Sequence, residues 1–349
     1  MDENLALGLF VFLPLVCGGL LVLWARYGQR GWAAAPWARL LMGNLLVLLL
    51  LLSLALLGGE IYYRYLYDDT DSMNFSKVSE RWFARHFHLN SWGTRDNVEY
   101  AHARQPGRRR VTFLGDSFTA GHGVRDVEDR FANRIRHLHP EWDVHILARP
   151  GLDTGDELKA LSDCLDNKYQ IDEVVLVYCL NDISDLLPEL TDLIQGVYAE
   201  VEQSGWLRRN SYLVNTLYNR LVLVRNPNMK RYFPMLLESY RSPVWEQHKQ
   251  RLKAMRDLVQ SHGGRLCVVT FPFLQNLGPR YEYQFVHDRL DQCWHELNVP
   301  HLDLLPVFQN LPARKITVNQ FDAHPNEYAH RLAAEALDKS LRQRMAAKR

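Results

Sequence analysis

The chain has 349 residues, with 41 lysines and arginines against 40 aspartates and glutamates, so its formal net charge is +1. Such a balance gives no overall positive field, and a nucleic-acid partner is therefore not expected. Five cysteines occur without a CxxC pair and without histidines at zinc-finger spacing, which argues against a zinc-binding or disulfide-rich class.

Residues 1–60 are predicted to form a membrane anchor. Two stretches, at about 5–25 and 40–58, are almost uniformly apolar, and each approaches the roughly 20 residues needed to cross a hydrocarbon core. The alternative is a signal peptide followed by a buried helix. It is disfavoured because Asp2 and Glu3 give the N-terminus negative charge where a signal peptide is positive. We therefore expect two transmembrane helices in contact with membrane lipid.

The arginines near these helices predict an orientation. Arg26, Arg30 and Arg39 lie in the connecting segment, whereas the N-terminal residues before the first helix carry no positive side chain. By the positive-inside rule, the connection is cytoplasmic and both ends of the chain lie outside. In a bacterium, the chain from about residue 60 onward would then face the periplasm or the exterior from the inner membrane.

The rest of the sequence is typical of an α/β protein. Residues 61–110 form a polar, aromatic approach segment, followed by residues 111–349 with a helical insertion at about 184–242. The approach segment ends in Arg108 to Arg110, interpreted as a solvated edge, with contact to phosphate or a membrane surface as the alternative. Alternating apolar strands and amphipathic helices predict a three-layer α/β/α sandwich with a mainly parallel five-stranded sheet. The predicted strands are 111–115, 143–148, 174–180, 266–271 and 300–304.

The most informative motif is the sequence GDSFT at residues 115–119, directly after the first predicted strand. Two glycines follow, Gly121 and Gly123, and they permit a tight turn. A serine between a strand and a helix, here Ser117, has its hydroxyl presented rather than packed, as a nucleophile requires. These are also ordinary turn residues. The interpretation therefore depends on whether the chain supplies a base, an orienting acid and oxyanion donors.

Four further residues follow later predicted strands, at the edge where ligands bind in parallel α/β folds. Gly151 begins a helix, where its backbone N–H can approach an oxyanion, and Asn181 offers a side-chain amide for the same role. His324 is a candidate base, and Asp322 is a candidate to fix its tautomer. Each also has a purely structural interpretation, as a helix start, a cap or a turn. Their joint occurrence at successive strand ends favours a site.

At these positions the chain resembles the SGNH hydrolase family of GDSL-type esterases and lipases, in its membrane-attached branch. The resemblance covers about residues 85–345 and includes every sequence block in order. It implies the flavodoxin-like SGNH hydrolase fold and a serine mechanism that requires no cofactor and no metal. The implied site consists of the catalytic residues Ser117, His324 and Asp322 and the oxyanion-hole residues Ser117, Gly151 and Asn181.

Two positions depart from the family pattern. The third block usually begins with glycine, and this chain has Cys179 there. The last block usually places aspartate three residues before histidine, where this chain has Phe321, so that Asp322 precedes His324 by only two residues. Residues i and i+2 of an extended segment face the same side. Asp322 is therefore still expected to reach the imidazole.

Two weaker candidates lie near these motifs. A metal site built from Asp322, His324 and His330 is disfavoured, because the spacing is unlike that of H-E-x-x-H and related metal motifs. Arg95 lies in a segment that resembles the stretch before the first block in membrane-attached relatives, and it is a candidate to line the site.

The implied chemistry is acyl transfer through a serine ester: His324 takes the proton as Ser117 attacks an ester carbonyl. Three functions fit this chemistry and the anchor. The first is a membrane-anchored serine esterase acting on an acyl or acetyl ester of a glycan, a lipid or a small molecule. The second is an O-acyltransferase or deacetylase for cell-surface polysaccharide. The third, disfavoured by the intact motifs, is a catalytically idle membrane protein that binds a glycan or a partner.

Overall fold

The structure, a computed structural model, describes residues 2–28, 36–71, 75–222 and 225–346. The chain divides into two compact units. The first comprises Met1–Glu80 and Tyr198–Arg225, and the second comprises Arg81–Val197 and Asn226–Arg349. The middle of the predicted helical insertion therefore groups with the N-terminal helices, whereas its two ends group with the larger unit.

Two long apolar helices make up most of the first unit. Helix α1 (Asp2–Leu23) continues to Gly28, and α2 (Pro36–Ile61) continues to Leu66, in both cases as a π-helical turn. By length and composition both can cross a membrane, and many of their leucines are exposed. The prediction of two N-terminal apolar helices is confirmed. Arg30, one of the arginines behind the predicted orientation, lies outside the described residues.

The larger unit contains a parallel five-stranded sheet, as predicted. Its order is β2-β1-β3-β4-β5, which is the flavodoxin-like order. Every residue of β2 and β3 is buried, because strands covered on both faces have no solvent side. The strands are β1 (Arg109–Gly115), β2 (Trp142–Ala148), β3 (Glu173–Cys179), β4 (Arg265–Phe271) and β5 (His301–Asp303).

Helices form a layer on each face of this sheet. The connections β1 to β2 and β2 to β3 run in opposite directions along the sheet, so right-handed crossovers place their helices on opposite faces. Helix α5 packs with α15, and α6 packs with α11. After α2, the helices are α3 (Lys77–His86), α4 (Ser117–Ala120), α5 (Phe131–Leu138), α6 (Thr154–Asp166), α7 (Pro188–Glu202), α8 (Trp206–Asn210), α9 (Tyr212–Leu221), α10 (Pro227–Ser239), α11 (Val244–Ser261), α12 (Gln284–Glu296), α13 (Leu305–Phe308), α14 (Ala313–Ile316) and α15 (Glu327–Ala346).

A short antiparallel hairpin precedes the last helix and was not predicted from the sequence. Strand β6 (Thr317–Asn319) pairs with β7 (Asp322–Pro325). Asn319 fixes the turn between them, because its side-chain oxygen accepts hydrogen bonds from the backbone N–H groups of Phe321 and Asp322. The hairpin gives Asp322 and His324 an extended backbone just before α15.

The arginines at 108–110 were expected to be solvated, but one of them, Arg110, is not. Arg110 lies within β1 and is fully buried. Its guanidinium donates from Nε to Asp143 Oδ2 over 2.8 Å and also donates to the backbone carbonyls of His102, Ala103 and Gln170. The expectation was wrong for Arg110 because a neighbouring strand supplies a carboxylate that the local sequence does not reveal.

Candidate active site

Ser117 is the first residue of α4, directly beyond the end of β1. Asp116 caps this short helix by accepting a hydrogen bond from the backbone N–H of Phe118, and Gly121 ends it with a φ of +73°. Gly115 has no room for a side chain, because a Cβ there would collide with Thr119 and stand 3.0 Å from the Val177 carbonyl oxygen. The strand, the glycine and the cap together hold Ser117 in this turn.

His324 connects Ser117 to Asp322. The His324 Nε2 atom lies 2.9 Å from Ser117 Oγ, and Nδ1 lies 2.5 Å from Asp322 Oδ1. An ionised carboxylate only accepts hydrogen bonds, so Nδ1 carries the proton and Nε2 accepts from the Ser117 hydroxyl. The contact between Ser117 Oγ and Asp116 Oδ2 is longer, at 3.4 Å. The shortened spacing between aspartate and histidine therefore does not prevent a continuous Ser117–His324–Asp322 arrangement.

The electrostatics of this arrangement suit a base. Burial alone would raise the pKa of the Asp322 carboxyl, but the neighbouring His324 and His122 outweigh burial and hold that pKa well below its usual range. Burial tends to lower the pKa of His324, and the negative charge and hydrogen bond of Asp322 more than reverse this, so the pKa of His324 is raised. Asp322 thus stays ionised and makes His324 a stronger base.

His122 is a site residue that the sequence analysis did not identify. Its ring stacks on that of His324, with 3.7 Å between centroids and 8° between planes, and its other neighbours include Trp82 and Phe83. His122 Nε2 stands 3.3 Å from Asp322 Oδ2, the carboxylate oxygen that His324 does not use. Burial and the charge of His324 lower the pKa of His122 to about 4, so it is neutral near pH 7. In the sequence, Gly121 and Gly123 on either side of His122 indicate only a turn, so His122 was not predicted.

The side chains of His122, Asp322 and His324 were also considered as possible ligands of a metal ion. The possible ligand atoms of His122, Asp322 and His324 lie within 4.8 Å of one another. A metal ion bound by imidazole lies close to the ring plane, and two nearly parallel rings stacked at 3.7 Å have no common plane. His330, the third member of the predicted alternative, instead accepts a hydrogen bond at Nδ1 from the backbone N–H of Phe131. The stacked rings therefore do not suit joint ligation; of the two histidines, His324 makes a hydrogen bond to Asp322, whereas His122 makes a 3.3 Å polar contact without hydrogen-bond geometry.

The two predicted oxyanion donors follow the strands on either side of β1. Gly115 pairs with Ala148 of β2 and with Val177 of β3, so the turns that carry Gly151 and Asn181 flank the Ser117 turn. Gly151 has a φ of +84°, which side chains disfavour, and the space where its Cβ would stand is open. Asn181 is half-buried, and its side chain is one of the groups that act to lower the pKa of the Asp116 carboxyl against the effect of burial.

Arg95 does not point at the nucleophile. Its guanidinium is buried and donates to the backbone carbonyls of His86, Gly121 and Val124. These bonds hold the loop that carries His122. The sequence-based expectation that Arg95 lines the site is therefore replaced by a role in fixing the loop behind it.

The sequence model of the GDSL-like Lipase/Acylhydrolase family matches residues 113–332, more than half of the chain. The chain belongs to this family. It is an ester hydrolase, and the resemblance seen in the sequence blocks is confirmed. No match to this acylhydrolase was found among curated protein sequences.

Several solved structures are similar to this acylhydrolase at low sequence identity. TesA is 14% identical, with a TM-score of 0.42, and the match covers 67% of this chain and 98% of TesA. The psychrotrophic esterase EstA from Pseudoalteromonas sp. is 15% identical, with a TM-score of 0.41 and coverages of 68% and 99%. A two-domain esterase active on acetylated mannans is 16% identical, with a TM-score of 0.40 and coverages of 68% and 49%.

The departure from the family pattern at Cys179 leaves the third-block turn intact. Cys179 is the last residue of β3 and is fully buried, and its backbone N–H donates to Asp182 Oδ2 over 2.8 Å. Asp182 lies in a buried acidic cluster with Asp116 and Glu157. Burial raises the pKa of all three carboxyls, and their mutual repulsion raises those of Glu157 and Asp182 further. In this acylhydrolase Asp182 thus holds the turn that carries Asn181.

Proposed function

We propose that this acylhydrolase is a membrane-anchored serine esterase in which Ser117 is the nucleophile. The observation that carries the proposal is the 2.9 Å contact between Ser117 Oγ and His324 Nε2, in line with the 2.5 Å contact between His324 Nδ1 and Asp322. A serine hydroxyl is a weak nucleophile until a neighbouring base removes its proton, and a third group must orient that base.

The proposed reaction has two steps. Ser117 Oγ bonds to the ester carbonyl carbon as its proton passes to His324 Nε2; the tetrahedral intermediate then expels the alcohol, which takes that proton. A water molecule, deprotonated by His324, attacks the resulting serine ester and releases the carboxylic acid and free Ser117. The backbone N–H groups of Ser117 and Gly151 and the Asn181 amide are the proposed donors to the oxyanion.

Labelling with a fluorophosphonate probe tests the nucleophile. The full-length protein in detergent should be labelled, and Ser117→Ala should lose both labelling and hydrolysis of short acyl esters. Ser261→Ala, which removes a serine at the exposed end of α11, should keep both. Equal labelling of the wild type and Ser117→Ala would refute the assignment. Repeating hydrolysis with an added oligosaccharide acceptor distinguishes release to water from transfer to a glycan.

The proposed location is the inner membrane of a bacterium, with residues 1–60 as anchor and the catalytic unit on the periplasmic side. The length and composition of α1 and α2 support the anchoring, and Arg26 and Arg39, at the helix ends that flank their connection, support the orientation. A phosphatase reporter fused after residue 349, which is active only outside the cytoplasm, should be active. Activity of a cytoplasm-restricted reporter at the same position would reverse the orientation.

A further inference from the structure

Beyond its first turn, helix α9 shows the reverse of the usual amphipathic pattern. Leu213 in the first turn is buried, but the other buried residues are the polar Asn215, Thr216 and Asn219, whereas Leu217 and Leu221 are 40% and 53% exposed. Residues four apart lie on one side of a helix, so these two leucines form a continuous stripe. A helix at a water-exposed protein surface has the opposite arrangement, with its apolar side inward.

The polar side of α9 is fixed inward by hydrogen bonds within the first unit. Asn215 Oδ1 accepts from the backbone N–H of Lys77 over 2.9 Å, and Asn219 Nδ2 donates to the Phe75 carbonyl over 3.0 Å. Arg220 donates to Asp71 Oδ2 from Nε over 2.9 Å. Turning the leucines inward would break these bonds and leave buried polar groups unsatisfied, which is unfavourable.

Glu60, near the end of α2, holds the beginning of α9. This carboxylate is fully buried; Oε2 accepts from Ser211 Oγ over 2.7 Å and from the Leu213 N–H over 2.9 Å, and Oε1 accepts from the Tyr212 N–H over 3.2 Å. Arg64 balances its charge, with Nη2 2.7 Å from Oε1. Negative charge at a helix N-terminus is stabilising, so α9 starts beside the final turn of the apolar helix α2.

We propose that α9 lies in the surface of the same membrane that α1 and α2 cross, with Leu217 and Leu221 among the lipid acyl chains. Removing the exposed part of a leucine side chain from water is favourable, and the exposed leucines of α2 call for the same lipid environment. Interfacial helices combine an apolar side toward lipid with cationic side chains near the headgroups. Exposed Arg209, just before α9, fits that position. The inference rests on the proposed membrane anchoring.

Site-directed fluorescence in nanodiscs of phosphatidylcholine and phosphatidylglycerol tests it. The two half-buried cysteines are first removed as Cys17→Ala and Cys164→Ala. A polarity-sensitive fluorophore is then attached to the full-length protein at Leu217→Cys or, as a second variant on the same side, Leu221→Cys. The quenchers are lipids that carry a doxyl group either near the headgroup, for the labels at 217 and 221, or deep in the acyl chain, for the anchor control, and iodide in the water.

Two control positions show how a lipid-embedded label and a water-exposed label respond to the quenchers. Leu48→Cys, in the middle of α2, reports the anchor, and Leu138→Cys, on an exposed turn of α5, reports a water-facing leucine. We expect the labels at 217 and 221 to lose more fluorescence to the doxyl lipid than to iodide, with the reverse at 138. If the label at 48 is quenched by doxyl lipid but those at 217 and 221 respond like that at 138, the inference is wrong and the anchor stands.

Two other outcomes also decide the matter. A label at 48 that escapes doxyl quenching refutes the proposed anchoring itself, and with it this inference. Labels at 217 and 221 that are shielded from both quenchers show that protein covers the stripe, which overturns the lipid proposal. Cross-linking then tells whether the cover is a second copy of this chain.

Discussion

The imidazole rings of His122 and His324 lie almost parallel, 3.7 Å apart, and both have a nitrogen directed at the Asp322 carboxylate. The two histidines differ in protonation, because the pKa of His324 is raised while that of His122 is lowered to about 4. In the proposed mechanism an imidazolium forms on His324, and a neutral His122 adds no positive charge beside it. Its polar contact with Asp322 also withdraws some negative charge from that carboxylate.

His122→Phe keeps a stacked ring but removes the polar contact with Asp322. We expect kcat to fall by about tenfold or less with KM unchanged, since one such contact contributes about 1 kcal/mol. The less neutralised Asp322 should raise the pKa of His324, so the acid limb of the pH–rate profile should move to higher pH. His137→Phe, at an exposed histidine of α5, is the control. A pH profile identical to that of the wild type would show that His122 acts only by packing.

The pH dependence of the wild type follows from the pKa of His324. The base must be neutral to accept the Ser117 proton, so activity is present above this pKa and is lost as pH falls through it. Because the pKa is raised, kcat/KM should decline from a pH above the ordinary histidine value of about 6.5. A profile that stays flat down to pH 5 would contradict the assignment of His324 as base.

Asp322→Asn removes the charge that raises the pKa of His324 and allows the wrong imidazole tautomer. We expect a loss of kcat of about 10³–10⁴-fold and an acid limb displaced to lower pH, since the largest influence that opposes burial at His324 is then lost and only Asp116 still raises its pKa. Steady-state rates from pH 5 to 9 measure both effects. Near-normal activity would show that another group orients His324.

Asn181→Ala tests the oxyanion hole. Loss of one donor should reduce kcat by about 10²–10³-fold, with a small change in KM because the oxyanion develops only in the transition state. Asn167→Ala, at the exposed end of α6, should leave kcat unchanged. Full activity of Asn181→Ala would remove Asn181 from the oxyanion hole.

Arg110→Met tests the buried ion pair that Arg110 of β1 forms with Asp143 of the neighbouring strand β2. Removing one partner leaves Asp143 without its guanidinium, so the free energy of unfolding should fall by about 3–5 kcal/mol. Arg108→Met, two residues earlier and exposed, should change it by about 0.5 kcal/mol or less. Thermal or denaturant unfolding in detergent compares the two variants. Equal effects would mean that Arg110 behaves like the solvated arginine expected from the sequence.

The local sequence was sufficient for features that depend on neighbouring residues. Uninterrupted apolar runs predicted the buried parallel strands, and the strand-to-helix turn predicted where Ser117 stands. The hairpin of β6 and β7 was missed because its strands have three and four residues, too few for a periodic pattern.

Features that depend on distant residues could not be predicted. His122 contacts His324, about two hundred positions later in the chain, and the residues around His122 do not indicate that contact. Arg110 was misjudged for the same reason, since its partner Asp143 comes from the neighbouring strand. The polar side of α9 depends on Phe75 and Lys77, far earlier in the chain. In each case tertiary contacts outweighed the local pattern.

The Glu60 carboxylate also has a practical consequence for producing this protein. A chain shortened by deleting the apolar helices α1 and α2 alone would lose the acceptor for the Tyr212 and Leu213 amides while Leu217 and Leu221 remained exposed, a combination that favours aggregation. Because Tyr198–Arg225 groups with Met1–Glu80, a shortened chain that omits α1 and α2 should also omit α8 and α9.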